Sequence, residues 1–350
     1  MKVSPITDQM TALRAGRVRL PDGRPVSIVQ EYETHSARVF VTETHAFKIR
    51  KPVSLGFLDY STADKRREAG RTEVMLGRRV SPQVHLGVWT LTNTESPILV
   101  PSEDSGEPVV AMNRLPEAVQ LETLFSDPST PDWKMDAVAS ACARFHALCP
   151  VDTRIDGYGS PEKTTEAWAI NFEQLCATDA TIPLAPSERQ QLITETADWL
   201  KSHRDVLVQR IDEGRIREGH GDLRLQHVYL TEPWSVIDPL EFSIDLRFCD
   251  VAAEIGFLAM ELDAIGRHAA SERLVKQYAE ATQDHSLEAV IPFFKRYRAV
   301  VRAKIEWIRA MQTTDTERAE HLAASRQLFV LALGYRIKRE AGPDSISWTG

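Results

Sequence analysis

Apolar and polar positions keep a two-residue rhythm through the first part of the chain and then switch to a helical one. Val26-Ser-Ile-Val-Gln-Glu-Tyr32 alternates, Arg38-Val-Phe-Val-Thr42 is β-rich, and Glu43-Thr44-His45 forms a turn into Ala46-Phe-Lys-Ile-Arg50. Three strands are predicted. In the last, Phe47 and Ile49 point to one face, Ala46 and Lys48 to the other. Ser61-Thr62-Ala63-Asp64 has the character of a capping-box start for a helix that runs to about Val80 and stops before Pro82. Its apolar stripe is Ala69, Leu76 and Val80, and Glu73 falls within that stripe. An acid on an inward helix face must be paired, and Lys48 is the obvious partner. Glu68 is less well placed, and a rim salt bridge from Glu73 to Arg66 or Arg78 is the plainer alternative. Lys48 itself has a plain alternative, a solvated lysine on a half-buried strand.

Ile98-Leu-Val100 and Pro108-Val-Val-Ala-Met112 read as two more strands around a polar turn, Ser102–Glu107. Beyond them the period is helical: Trp133–Leu148, with Ala137, Val138, Ala141, Phe145 and Leu148 inward, then 166–178, 187–213, Asp250–Asp263, Phe293–Met311 and Ala319–Lys338. Residues 151–165 read as a loop and the tail from Ala341 as loose. His146 is expected as a satisfied core histidine. The pattern divides the chain into a first lobe over 1–113, a helical lobe over 114–340 and a tail over 341–350.

One interruption of the helical pattern holds the candidate chemistry. Gly219-His220-Gly221-Asp222-Leu223-Arg224-Leu225-Gln226-His227 precedes two short strands, Val228-Tyr229-Leu230 and Ser235-Val236-Ile237, joined through Thr231-Glu232-Pro233-Trp234. A four-residue turn pairs Val228 with Ile237 and Leu230 with Ser235. His227 and Asp238 then lie opposite each other, with Cα atoms about 4.5–5.5 Å apart. Asp222, His227 and Asp238 are thereby expected to converge. Phosphoryl transfer needs such a pair of acids, one for the proton of the attacking hydroxyl and one for the Mg²⁺ on the nucleotide phosphates. The plain alternative is an ordinary turn followed by a strand-end cap.

With 350 residues, 43% of them hydrophobic and 26% charged, the chain is that of an ordinary globular protein with room for two lobes. No apolar run suits a signal peptide or a membrane span, and four widely spaced cysteines suit reduced thiols, so a cytoplasmic location is expected. The net charge of −8 argues against nucleic acid as a partner. Its distribution is uneven: residues 1–113 carry 15 basic and 13 acidic residues, and residues 114–350 carry 27 and 37.

Taken together, Lys48–Thr62 with Lys65-Arg66-Arg67, Arg78-Arg79-Val-Ser-Pro82, Val109–Pro116, Phe145-His146-Ala147, the Gly219–Asp238 hairpin, Glu241-Phe242, Arg247–Ala252 and Tyr297–Arg302 resemble, in order, the aminoglycoside-phosphotransferase-like bacterial family, a branch of the protein-kinase-like fold whose members are often fused to a P-loop domain. The resemblance implies a bilobal α+β fold, with a small antiparallel β lobe and a mostly helical lobe. It implies transfer of the γ-phosphoryl of ATP, or of GTP, to a hydroxyl of a small molecule such as a sugar, an amino sugar, an aminoglycoside-like compound or another alcohol. By the same resemblance Lys48 binds phosphates, Glu73 positions Lys48, Ala46 leaves room for adenine, Met112–Leu115 forms the hinge, Ser36 lets backbone N–H groups approach a phosphate, Asp222 is the catalytic acid/base, and Asp238 binds Mg²⁺ (or Mn²⁺). Asp250 is implied to be structural, capping a helix and bonding the catalytic-loop backbone.

Two features depart from the pattern. No Gly-x-x-x-x-Gly-Lys-Ser/Thr occurs, so the fused P-loop module is not expected here. His227 stands where an asparagine is expected, five residues after Asp222. Imidazole suits Mn²⁺ or Zn²⁺ better than Mg²⁺, so His227 is read as a metal ligand or as a hydrogen-bond partner of phosphate or of Asp238. It also supports a rival reading, a pseudokinase that binds nucleotide as a switch or scaffold. A metal hydrolase built on His220, Asp222 and His227 is a third reading, and it leaves Lys48 and Glu73 without a purpose. Glu241, Glu254, Glu261 and Asp263 are candidate partners of an acceptor's amino or hydroxyl groups.

Overall fold

Strands rich in branched and aromatic residues must bury both faces or expose one. In the first unit of this chain, both are covered. The computed structural model describes residues 6–54, 58–103, 105–151, 157–176 and 182–337. The calls on the tail and on part of the 151–165 loop therefore lie outside the described residues. The chain separates into two compact units, residues 1–123 with 226–244, and residues 124–225 with 245–350.

In the first unit, α1 (Ile6–Arg14) precedes β1 (Gln30–Glu33), β2 (Ala37–Val41), β3 (His45–Arg50), α2 (Ala63–Val80), β4 (His85–Leu91), β5 (Leu99–Val100) and β6 (Glu107–Asn113). All pairings are antiparallel, in the order β1-β2-β3-β6-β4-β5. The first strand begins at Gln30 rather than Val26, because the Val26 N–H donates to the Val18 carbonyl at 2.9 Å instead of joining the ladder. β4, which the sequence pattern did not reveal, inserts between β5 and β6; its bulge at His85/Gly87 breaks the alternation. One sheet face carries Phe40, Phe47, Ile49, Val109 and Ala111 and packs on Met10 and Leu13 of α1. The other presents Val88, Val110 and Met112 to Val74 of α2, with Ala46, Leu115 and Ile237 alongside.

Thr62 caps α2 by accepting the Lys65 N–H, but Lys65 occupies the position where a capping box needs an acid, so the reciprocal bond is missing. The buried stripe of α2 is Arg66, Gly70, Glu73, Val74, Leu76 and Gly77. Ala69 and Val80 are only half-buried. β8 (Val228–Tyr229) and β9 (Ser235–Val236) complete this unit as a two-stranded hairpin.

The second unit is helical: α4 (Lys134–Leu148), α5 (Pro161–Cys176), α6 (Pro186–Ser202), α7 (Arg204–Asp212), α9 (Val251–Ala264), α10 (His268–Thr282), α11 (Leu287–Gln312) and α12 (Asp315–Gly334), with α3 (Leu121–Ser126) and α8 (Ile244–Arg247) at its chain crossings. α5 starts at Pro161, inside the segment expected as loop, and the stretch expected as one helix over 187–213 breaks at His203. α4 buries Val138, Ala139, Ala141, Cys142 and Phe145, while Ala137 and Leu148, expected inward, are exposed. The core of the unit is aromatic, with Trp199 stacked on Phe293 at 4.0 Å between centroids. β7 (Ile216–Glu218) pairs antiparallel with β10 (Phe248–Asp250), and this short ladder fixes the start of the Gly219–Asp222 loop.

Candidate functional site

Lys48 sits mid-strand in β3, between Val39 of β2 and Val110 of β6. Its ammonium lies 3.0 Å from Glu73 Oε2 and 2.5 Å from Asp238 Oδ1. Glu73 is 1% exposed at its side chain and Lys48 12%, so both charges are largely withdrawn from solvent. Burial opposes the Lys48 charge, but Asp238, Glu73 and Glu241 more than offset it and hold its pKa above the ordinary lysine value. The rim alternatives for Glu73 are closed by other bonds, since Arg66 forms a buried fork with Glu107 and Arg78 donates to the carbonyls of His85 and Leu86.

Arg50, two residues after Lys48 and on the same face of β3, was not singled out by sequence reasoning, yet its guanidinium reaches the same acid. It pairs with Glu73 and, at 2.7 Å, with Glu241 Oε1, to which the Tyr60 hydroxyl also donates at 2.6 Å. Burial works against the Glu241 carboxylate, yet Arg50 and Lys48 hold its pKa below the ordinary 4.5. Glu241 therefore braces Arg50 rather than waiting for an acceptor. The charged chain Tyr60–Glu241–Arg50–Glu73–Lys48–Asp238 lies within the first unit, and the Oε1 oxygen of Glu73 is buried with no hydrogen bond among the described residues.

The hairpin that delivers Asp238 differs in register from expectation. Val228 pairs with Val236 and Tyr229 with Ser235, one residue out. The cause is Leu230, whose N–H leaves the ladder and donates to the Val119 carbonyl at 2.8 Å, so the connection is a residue longer than a four-residue turn. His227 consequently faces Ile237, whose N–H donates to the His227 carbonyl at 3.0 Å. Asp238 takes a left-handed backbone, φ 64°, a conformation that aspartate tolerates better than most residues. Its carboxylate, 46% exposed, then lies 3.8 Å from His227 Nε2. That nitrogen is also 2.9 Å from Gln226 Nε2.

Of the other predicted binding residues, Ala46 lies directly across from Met112, and both belong to the apolar group that includes Leu115 and Ile237. Ser36 sits in the turn between β1 and β2, half-buried, and its carbonyl accepts the Lys51 N–H at 2.7 Å.

Asp222 belongs to the second unit, where its loop is held by side chains of α9. Gly219 has no room for a Cβ, which would fall 2.5 Å from a Glu254 oxygen, and Gly221 has φ 84°. The Gly221 N–H donates to Glu254 Oε1, and His146 Nε2 bonds the other oxygen at 2.8 Å, with its Nδ1 2.6 Å from the Tyr278 hydroxyl. Burial disfavours the Glu254 carboxylate, but His146, with His220 and the Gly221 N–H, outweighs it and the pKa falls below the ordinary value. Further along, Glu261 accepts from the Leu225 N–H at 2.8 Å and from Arg224 at 2.7 Å. Leu223 and Leu225 are buried, so the alternating Asp222 and Arg224 are turned partly outward.

The sequence offered Glu254, Glu261 and Asp263 to an acceptor. Instead, Glu254 and Glu261 brace the loop, and Asp263 is engaged by Lys295, His268 and Tyr335. Asp250, expected to bond the loop backbone, caps α9 through the Ala252 N–H at 2.8 Å and pairs with Arg210. Among the described residues, no group of three or more His, Cys, Asp or Glu side chains could hold a metal by itself.

A lysine braced by a helix acid beside a strand-end aspartate, on a six-stranded antiparallel sheet, marks the kinase-like fold. A sequence profile of the phosphotransferase enzyme family matches residues 38–294, and the chain belongs to that family. It is 33% identical over 297 residues to uncharacterized proteins of Mycobacterium tuberculosis and Mycobacterium bovis. That match takes in 83% of this chain and 58% of theirs, so the chain spans little more than half the length of these curated relatives. Its fold is shared with a choline/ethanolamine kinase family protein from Mesorhizobium loti, at TM-score 0.54 and 13% identity over 94% of this chain and 98% of that one. A microcompartment-associated aminopropanol kinase shares it too, at TM-score 0.52 and 15% identity over 95% and 100%. No described helix is long and apolar enough to cross a membrane.

Proposed function

We propose that the protein is a small-molecule kinase, moving the γ-phosphoryl group of ATP, or of GTP, to a hydroxyl. The observation that carries this reading is the Lys48 ammonium, held 3.0 Å from the buried Glu73 and in contact with Asp238. A cation fixed by a buried acid and next to an exposed one is suited to phosphate oxygens and their counter-ion. In this reading residues 1–113 serve the nucleotide. The apolar group around Ala46, Met112 and Leu115 receives the base, and the Ser36 turn approaches the phosphates. Residues 114–340 supply Asp222, which takes the acceptor hydroxyl's proton, and Asp238 with its metal.

The donor set fits a divalent cation shared with phosphate. Asp238 offers a hard, half-exposed oxygen and His227 Nε2 lies 3.8 Å from it. Asp238 and His227 would hold Mg²⁺ or Mn²⁺, imidazole favouring the latter. That ion's chemistry is neutralisation of the phosphates. Asp222→Ala should lower phosphoryl transfer about 100- to 10,000-fold while leaving nucleotide affinity intact, read by ADP release with a panel of alcohols and by thermal shift with ATP and metal. Loss of nucleotide binding together with turnover would instead mark Asp222 as structural.

His227 favours a second reading, a nucleotide-binding scaffold with little turnover. His227→Asn separates the two. A kinase gains activity with Mg²⁺ relative to Mn²⁺, whereas a scaffold binds nucleotide and releases no ADP in either form.

A further inference from the structure

The second unit contains a cavity of about 400 Å³, a volume suited to a small metabolite. Arg144, Arg215 and Arg217 line it together with His146 and Tyr278, and no acidic residue among the described ones does. Arg215 is already compensated, 3.3 Å from Glu213 and donating to the carbonyls of Thr282 and Gln283. The other two are not. Among the described residues Arg144 makes one bond, from Nη1 to Ser140 Oγ at 2.8 Å. Arg217 gives Nε to the Gly214 carbonyl and Nη1 to those of His146 and Cys149, which leaves its Nη2 without an acceptor among the described residues. Two guanidinium groups with spare donors and no paired carboxylate among the described residues, in a chain of net charge −8, are a recognition element for oxyanions.

The same two arginines stand on the two routes to the Asp222 loop. Arg217 is the middle residue of β7, whose last residue, Glu218, directly precedes Gly219. Arg144 lies on α4 beside His146, which holds Glu254, which in turn accepts the Gly221 N–H. We propose that this cavity binds a small phosphorylated or carboxylated metabolite, which ties α4 to β7 and thereby restrains the loop carrying Asp222. The site is separate from the one proposed for nucleotide and does not depend on it.

Calorimetric titration of the full chain with inorganic phosphate, and separately with citrate, tests the binding. The tighter of the two assigns the phosphorylated or the carboxylated class. Arg144→Ala, which removes only a serine contact, and Ala143→Glu, which brings an acid to the cavity wall, should each weaken the preferred anion about tenfold or more. Lys48→Ala should leave that affinity unchanged. Hydrogen exchange at the Gly221 amide should slow with the anion present, and not in Arg144→Ala. Absence of binding by either anion, undiminished binding in both cavity variants, loss of binding in Lys48→Ala, or unchanged exchange at Gly221 would each overturn the proposal.

Discussion

At the scale of single residues, the organising fact is that five ionised groups share one small volume around Glu73. Glu241 shows what that requires. Its carboxylate is held below its ordinary pKa by Arg50 and Lys48, so its stabilisation is complete above pH about 4.5 and is lost as pH falls through the lower, folded-state value. Glu241→Gln should therefore cost on the order of 3 kcal/mol at neutral pH, because it leaves the buried Arg50 undercompensated. In urea unfolding, the difference from wild type should be flat near neutrality and should shrink below pH about 4.5. A difference that grew on acidification would contradict this assignment. Lys48 and Glu73 were legible in the sequence because the strand period puts Lys48 on the face of the small Ala46 and the helix period puts Glu73 in an apolar stripe. Arg50 and Tyr60 were not, since their shared partner lies some 190 residues away and no local period records it.

At the scale of elements, close packing of α2 on the sheet limits what its inner face tolerates. A Cβ on Gly77 would fall 2.3 Å from the His85 ring, so Gly77→Ala should destabilise by about 1–3 kcal/mol in spite of alanine's better helix propensity. Thr62→Ala, which removes the N-cap of the same helix, should cost about 1 kcal/mol. Denaturant midpoints at constant slope check both, and a neutral Gly77→Ala would mean that His85 swings away freely. Most strands and helices were readable from period alone. The failures have local causes: a bulge hid β4, Leu230 bonded outside its own hairpin and slipped the register, and His203 divided a helix whose apolar pattern runs on without a gap.

At the scale of the molecule, the first unit is discontinuous in sequence, with residues 226–244 joining residues 1–123. The late segment supplies Asp238 to Lys48 and Glu241 to Arg50. A fragment of residues 1–123 should accordingly fail to give a cooperative unfolding transition, and adding a peptide of residues 226–244 should restore part of it, as followed by circular dichroism. Independent folding of the short fragment would show that the sheet tolerates Lys48 and Arg50 without those acids. The arrangement also bears on synthesis. When the ribosome has made the β-sheet, two of the acids that balance its buried cations, Asp238 and Glu241, have not yet been translated, and at ~10 residues per second they follow on the order of 10 s later. For that interval the lysine and arginine of the nascent sheet share Glu73 alone, which favours an open, chaperone-accessible precursor over early closure.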